Sequence, residues 1–143
     1  MNDAPLLLVL DEGTTSTRAI AFDLGGGIVA QAGHALTQHY PQPGWGEHDA
    51  AEIWNHSLAA LKAVVAEVGA GRIAAIGITN QRETIVFWDR STGEPVAPAI
   101  VWQDRRSADY CAELKAAGHE TAVAAKTGLL IDPYFSATKL RWI

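Results

Sequence analysis

Three apolar stretches near the start of the chain, joined by short polar links, constrain the fold more than any other feature. The stretches cover residues 6–10, 18–22 and 28–36, and the links are a polar turn at 11–16 and a glycine run at 25–27. Strands joined by links this short run antiparallel. The chain is therefore predicted to begin with a three-stranded antiparallel meander.

A polar loop over residues 38–48 leads to a predicted helix. Asp49, followed three residues later by Glu52, has the pattern of a capping box, which satisfies the free amides at a helix start. Gly69 and Gly71 are predicted to end the helix. Apolar residues recur between these signals at spacings of three and four and predict the buried stripe: Trp54, Leu58, Leu61, Val65 and Val68.

The rest of the chain alternates between strand and helix patterns. Residues 73–79 form a nearly continuous apolar run, which is typical of a central strand buried on both faces. Further strands are predicted at 84–89, as one arm of a hairpin through the 91–93 turn, and at 99–102. Helices are predicted at 105–117, 119–127 and 136–143. A meander followed by alternating helices and strands indicates an α/β fold with a mixed sheet. The last helix has no stop signal, so the fold is expected to be truncated.

Composition excludes several function classes. The chain is 48% hydrophobic and 19% charged, as expected of a folded globular chain, and its formal charge of -5 disfavours nucleic-acid and membrane partners. Cys111 is the single cysteine, so no disulfide framework is predicted and a reducing, cytoplasmic setting is expected. The apolar run at 6–10 is too short for a secretory signal or a membrane span.

Residues 11–18, Asp-Glu-Gly-Thr-Thr-Ser-Thr-Arg, concentrate hydroxyl groups between the first two strands. A glycine lets a phosphate approach the backbone closely, hydroxyls can donate to it, and Arg18 can offer a planar fork to an anionic oxygen. Asp11, at the end of the first strand, is placed to hold a Mg²⁺ ion or its coordinated water. The alternative is a polar hairpin turn rich in Ser and Thr. The Walker lysine is absent, and the glycines at 25–27 follow the wrong strand for a dinucleotide fingerprint.

A second group of residues suits a neutral polyol. A polyol hydroxyl is both donor and acceptor, so its site needs a donor such as Arg82, an acceptor such as Glu83 and an aromatic face. The alternative for this pair is a surface ion pair of little energetic worth. Trp102 is interpreted as either a platform for the ligand or a core residue, and Tyr134 as a donor or a cap on the core edge. The five histidines have no metal-ligand spacing.

Five sequence blocks in order carry a family resemblance. They are residues 11–18, 43–49, 77–84, 101–106 and 127–136. Together they resemble the glycerol kinase branch of the FGGY carbohydrate kinases, and the resemblance covers the whole chain. The Asn-Gln-Arg-Glu segment within the third block separates glycerol kinases from the xylulose and gluconate members.

The resemblance implies an actin-like, ribonuclease-H-like fold of two domains, with ATP and substrate in the cleft between them. Residues 1–143 would be the N-terminal portion of the N-terminal domain, with the remainder and the second domain absent. The implied reaction is ATP-dependent phosphorylation of glycerol to sn-glycerol 3-phosphate. The implied cofactors are ATP and Mg²⁺, and the full-length form is expected to be a homo-oligomer.

The family pattern also implies residue roles. Asp11 would help to hold Mg²⁺ through water. The transferred phosphate would face Thr14, Thr15, Ser16 and Arg18. The glycerol hydroxyls would be held by Arg82, Glu83 and Tyr134, with Trp102 against the carbon chain. Glu12, where many relatives have Gln, is expected to point away from the phosphates. In the family the aspartate that accepts the substrate proton lies beyond Ile143, so residues 1–143 alone are expected to be inactive.

Two other function classes stay open from the sequence. One is a non-catalytic actin-like module that binds a nucleotide or a polyol. The other is a filament or chaperone ATPase of the same fold superfamily. A filament or chaperone ATPase would share the phosphate loop but would have no reason to combine Arg82, Glu83 and Tyr134.

Overall fold

The structure, a computed structural model, describes residues 4–143, and these form two compact units. The first unit contains the residues up to Thr37 together with Asp49–Gln81. The second contains Gln38–His48 and Arg82–Ile143. Each unit is therefore discontinuous in sequence.

The strands and helices follow one another in this order: β1 (Leu6–Glu12), β2 (Ser16–Phe22), β3 (Ile28–Ala35), β4 (Glu47–His48), α1 (Ala50–Val68), a 3-10 turn (Ala70–Arg72), β5 (Ile73–Thr79), β6 (Ala99–Ile100), α2 (Ala108–Ala116), α3 (Glu120–Thr127) and α4 (Ser136–Trp142).

The first unit contains a four-stranded sheet in the order β3-β2-β1-β5. Strands β1, β2 and β3 pair antiparallel, and β5 pairs parallel to β1, so the predicted meander and mixed sheet are confirmed. The glycine run between β2 and β3 is a turn, as predicted. Asp23 accepts hydrogen bonds from the amides of Gly25 and Gly27, and Gly26 has a φ of 85°.

Helix α1 begins at its predicted cap but uses only half of a capping box. The Asp49 carboxylate accepts from the amides of Ala51 at 2.8 Å and Glu52 at 3.3 Å. The Glu52 carboxylate instead accepts from the amide and the hydroxyl of Thr37, the latter at 2.8 Å. Glu52 thus joins the helix start to the end of the meander. The helix ends before Gly69, whose φ of 86° favours glycine.

The buried face of α1 coincides only in part with the predicted stripe: Val68 is buried, and Leu61 and Val65 are partly buried against the core. Its fully buried residues are Ser57, Ala60, Val64 and Val68. Trp54 is 65% exposed, and the prediction for that residue is wrong. The reason is steric: small residues let the helix lie close to a part of the sheet that is itself lined by Ala19, Ala21 and Ala30. A contact surface made of small residues has no counterpart in the pattern of large apolar residues along the sequence.

Strand β5 is not the buried central strand that its composition predicts. Within the described residues it pairs only with β1, at the edge of the sheet. Ile76 is 61% and Ile78 is 72% exposed. Helix α1 packs over β2 and β3 and does not extend across β5. Apart from Ile73, which packs against the core, the strand's apolar side chains are therefore exposed.

The second unit contains only a short ladder, in which β4 pairs antiparallel with β6. The predicted strand at 84–89 does not form; single bridges join Ile85 to Ile100 and Trp88 to Pro95. The hairpin turn itself is present, because Asp89 accepts from Ser91 and Thr92. Residues 84–89 are therefore irregular, where the sequence predicts a regular strand.

Helices α2, α3 and α4 confirm the three predicted helices with shorter bounds. Gly118 and Gly128 follow α2 and α3 with φ values of 81° and 72°. The hydroxyls of Ser107, before α2, and Thr138, in α4, lie 2.8 Å apart in the interior. None of the helices described within residues 4–143 combines the length and apolar character needed to cross a bilayer.

Candidate functional site

Asp11 and Arg18 are directly opposite each other in the β1–β2 ladder. A terminal guanidinium nitrogen of Arg18 donates to Asp11 Oδ2 at 2.5 Å. The Arg18 side chain is 53% exposed and that of Asp11 is 26% exposed, so both can reach a ligand. A pair this exposed contributes little to stability, about 0–1 kcal/mol.

The bend between β1 and β2 is closed by the Gly13 amide, which donates to the Ser16 carbonyl at 3.0 Å. A Cβ at Gly13 would lie 2.9 Å from that carbonyl oxygen, so the bend requires glycine. The Gln81 side-chain amide donates to the Gly13 carbonyl at 2.8 Å. Of the hydroxyl residues in the bend, Thr15 is exposed, and Thr14 and Ser16 are partly exposed. The predicted phosphate-facing residues therefore lie together at this bend, with Arg18 near the start of the strand that follows it.

Glu12 lies on the opposite face of β1 from Asp11. Successive strand residues point to opposite faces, and Leu6 and Leu8, on the same face as Glu12, are buried in the core beneath α1. Glu12 Oε1 contacts the Ser57 hydroxyl of α1, and Oε2 is buried without a hydrogen-bond partner in the described structure. Its carboxylate is thus directed at the helix and away from the face that carries Arg18.

The described residues contain no cluster of three or more His, Cys, Asp or Glu side chains that could hold a metal ion. Asp11 is a single carboxylate with Oδ2 engaged by Arg18. This donor set fits a cation that keeps most of its water, as Mg²⁺ does, and does not fit a cage built from protein ligands alone.

In the second unit, Glu83 has a φ of 65°, the only positive φ at a non-glycine residue in the part of the chain described. Such a conformation costs energy in a bulky residue and persists where the surroundings impose it. Glu83 Oε2 accepts from the amide and the hydroxyl of Ser136, at 3.0 and 2.8 Å. The carboxylate is therefore held at one oxygen, and its Oε1 accepts no bond from residues 4–143.

Trp102 and Tyr134 form an aromatic pair in the same unit. Their ring centroids are 6.0 Å apart and the planes meet at 70°. Both side chains are only partly buried, so neither is a core residue. The Trp102 amide donates to the Thr84 hydroxyl at 3.2 Å, next in sequence to Glu83. The structure thus places three of the four predicted polyol residues in one neighbourhood.

Arg82, the fourth, is adjacent to Glu83 in sequence and has an exposed side chain. It forms no salt bridge with any residue in the described range, so the predicted alternative of a surface ion pair with Glu83 is wrong. Its guanidinium is available to a ligand.

The sequence analysis did not predict a buried ionic network in the second unit, which also contains Glu83, Trp102 and Tyr134. Asp104 accepts from the Gly46 amide at 2.7 Å and from the Arg106 amide and guanidinium at 2.8 to 2.9 Å. Arg106 also pairs with Glu47 at 2.8 Å, and its guanidinium lies 4.0 Å from the Trp45 ring centroid. The pKa of Arg106 is raised: burial disfavours its charge, but the bonds to Asp104 and Glu47 outweigh that effect. The signal in the sequence was the pair of blocks at 43–49 and 101–106.

Lys139 and Ser136 were also missed. Lys139 has no exposed surface, and its ammonium donates to the carbonyls of Glu83 at 2.6 Å and Tyr134 at 2.9 Å. Burial lowers its pKa, while Glu83 and Asp104 favour its charge and Arg106 opposes it. A lysine in a helix that also exposes Leu140 and Trp142 gives no sequence signal of burial.

Comparison with known proteins relates this chain to one family. The model of the FGGY family of carbohydrate kinases, N-terminal domain, matches residues 6–143. Glycerol kinase 1 of Pseudomonas aeruginosa is 60% identical over 139 residues, which are 96% of this chain and 28% of that protein. A solved glycerol kinase of Plasmodium falciparum with ADP is 34% identical with a TM-score of 0.90, covering 97% of this chain and 28% of that one.

A solved xylulose kinase of Rhodospirillum rubrum is 34% identical with a TM-score of 0.88, covering 96% of this chain and 28% of that one. These matches confirm the actin-like, ribonuclease-H-like α/β fold and the resemblance that the five blocks carry. The chain spans 28% of the length of each of these relatives.

Proposed function

The chain belongs to the FGGY family of carbohydrate kinases, and on that premise we propose that it is the N-terminal part of a glycerol kinase. The full-length protein would transfer the γ-phosphoryl group of ATP to a terminal hydroxyl of glycerol, giving sn-glycerol 3-phosphate. Residues 1–143 would be the first portion of its N-terminal domain. The 60% identical relative from Pseudomonas aeruginosa supports glycerol as the substrate by its name.

The observation that best supports this proposal is the grouping of Glu83, Trp102 and Tyr134 in one part of the second unit. A neutral triol offers hydroxyls that donate and accept, together with a small C–H surface. Glu83 Oε1 would accept from one hydroxyl and the exposed Arg82 would donate to another, while Trp102 packs against the carbons and Tyr134 donates. The strained backbone of Glu83 supports a functional role, since strain of this kind clusters at ligand sites.

The bend after β1 would bind the phosphoryl group. Phosphoryl transfer depends mainly on positioning and on neutralising charge. Thr14, Thr15 and Ser16 would donate to phosphate oxygens, and Arg18 would neutralise charge as its contact with Asp11 loosens. The glycerol kinase structure with ADP supports a nucleotide as the second substrate.

Asp11 would hold Mg²⁺ through coordinated water. The free oxygen of a partly exposed carboxylate can accept from such a water, which suits the preference of Mg²⁺ for a hydrated shell. When bound, the cation supplies charge neutralisation for the transferred phosphate. We assign the role of proton acceptor to no residue of this chain.

Two further properties belong to the same proposal. The lone cysteine, Cys111, is buried and free, which supports a reducing cytoplasmic setting. Homo-oligomerisation of the full-length protein is carried over from the family resemblance. Glycerol and the nucleotide are small molecules, and the charge of -5 offers no reason to add a nucleic acid or a membrane to them.

Substitution of Arg82 tests the function in the full-length protein. Arg82→Ala should raise the KM for glycerol by about tenfold or more, because a charge-assisted hydrogen bond is lost. Arg90→Ala is the matched control, since Arg90 is exposed in the same unit at the hairpin turn. Steady-state phosphorylation assays provide both values. A protein that hydrolyses ATP without regard to glycerol or to Arg82 would instead be a filament or chaperone ATPase.

A further inference from the structure

Lys139 is an unusual residue to find in the interior of this unit. Burying an ammonium group is costly, and an apolar side chain of similar length would fill the same space at lower cost. The lowered pKa of Lys139 reflects that burial. A residue kept under such a penalty needs a reason beyond packing.

The two bonds of Lys139 supply that reason. Both bonds go to backbone carbonyls, one of Glu83 and one of Tyr134, which are two of the residues predicted to bind the polyol. Glu83 and Tyr134 are far apart in sequence, and the single ammonium joins their backbones. A charged donor makes a stronger bond to a carbonyl than a neutral donor does.

Glu83 is consequently held at both ends. Lys139 binds its main-chain oxygen where the φ is 65°, and Ser136 binds its carboxylate Oε2 through an amide and a hydroxyl. Without the ammonium, the main chain of Glu83 loses the bond that holds its carbonyl, and the left-handed conformation is unfavourable for a residue other than glycine. Relaxation of that backbone would move Oε1.

We propose that Lys139 is a positioning residue for the polyol site, which fixes the backbones of Glu83 and Tyr134 so that the free carboxylate oxygen and the aromatic ring meet the triol together. This inference rests on the proposed function of the same residues. Lys139 touches neither substrate nor nucleotide and acts through Glu83 and Tyr134.

A double-mutant cycle in the full-length protein tests the proposal. Lys139→Met keeps the length of the side chain and removes the charge, and it should raise the KM for glycerol by about tenfold. The KM for ATP should stay unchanged, and kcat should change less than the glycerol KM. Lys126→Met is the matched control, because Lys126 is exposed in α3 of the same unit.

The decisive arm repeats Lys139→Met in a Glu83→Ala background. If Lys139 acts through Glu83, Lys139→Met raises the glycerol KM by a smaller factor in the Glu83→Ala background than in the wild type, and the factor that remains reflects Tyr134, since coupled residues are non-additive. If the two effects multiply, or if kcat and both KM values change together, Lys139 is merely structural and the proposal is overturned.

Ser136→Ala covers the case in which Lys139→Met does not fold. It removes one of the two bonds to Glu83 Oε2, so its glycerol KM should rise by a smaller factor and be non-additive with Glu83→Ala in the same way. An unchanged glycerol KM for Ser136→Ala would then count against a restrained Glu83. A wild-type protein that does not phosphorylate glycerol overturns the proposed function and this inference with it, whereas an active wild type with multiplicative variants overturns the inference alone.

Discussion

At the scale of single residues, the buried charged side chains of the second unit are held by hydrogen bonds and ion pairs. Asp104 and Arg106 have side chains that are 0% and 2% exposed. The hydrogen bonds of the Asp104 carboxylate go to the amide of Gly46 and to Arg106. Such a pair adds little stability compared with apolar residues, but removal of one partner leaves an uncompensated charge. Its structural effect is to fix the segment that precedes α2, next to Trp102.

Asp104→Asn should therefore destabilise the protein by about 3 kcal/mol, because the buried guanidinium of Arg106 then keeps only one of its two carboxylate partners, Glu47. Urea unfolding of the variant and the wild type gives this difference. Asp109→Asn is the control at an exposed carboxylate in the first turn of α2, and it should change the unfolding free energy by less than about 0.5 kcal/mol. Equal effects of the two substitutions would contradict the proposed importance of the buried pair.

At the scale of elements, turns in this chain are closed by single carboxylates. Asp23 binds the amides of the glycine turn, Asp49 caps α1, and Asp89 closes the hairpin turn. The pKa of Asp89 is lowered from its ordinary value of 3.8, first by the Ser91 hydroxyl, then by the Ser91 and Thr92 amides, with a small opposing effect of burial. The ionised form is thus the one that the turn stabilises.

The pH dependence follows from that direction. Because the pKa of Asp89 is lower in the folded chain than in the unfolded chain, its stabilising effect is complete above 3.8 and is lost as the pH falls through the lower, folded value. The gap in unfolding free energy between wild type and Asp89→Asn should accordingly shrink as the pH drops below 3.8. Urea unfolding at a series of acidic pH values measures the gap. A gap that is the same at neutral and acidic pH would show that the carboxylate charge has no part in the turn.

At the scale of the whole molecule, the first unit has an open edge. Among residues 4–143, no strand pairs with the outer side of β5, which also exposes Ile76 and Ile78. An exposed apolar edge strand is a template for pairing with another chain. The 143-residue chain on its own is expected to self-associate, and the associated fraction should rise with the chain concentration.

Ile78→Lys should reduce this self-association, because a charge on an edge strand opposes pairing with a second copy. Size-exclusion chromatography with light scattering over a concentration series measures the effect. Leu24→Lys is the control: Leu24 is 70% exposed but lies in the turn after β2, away from that edge. A chain that stays monomeric at all concentrations, or an equal response to both lysines, would exclude β5 as the contact.

Local sequence patterns determined most of the elements of this protein. The meander, the Asp49 cap, the glycine that ends α1 and the three later helices depend on short-range periodicity and turn chemistry, and all appear within a few residues of their predicted bounds. The five blocks likewise identified the family. The roles of the eight candidate phosphate and polyol residues, and of Asp11 toward Mg²⁺, remain predictions.

Only the tertiary structure decided which residues are buried and what holds the site residues in place. The seam under α1 uses Ser57 and Ala60 rather than Trp54, and β5 is exposed although its composition is that of a core strand. Lys139 is buried because two carbonyls, distant along the chain, converge on its ammonium. Burial and convergence depend on contacts between residues far apart in sequence, whereas helix caps and turns depend on neighbours a few residues away, and a pattern read along the chain contains only the latter.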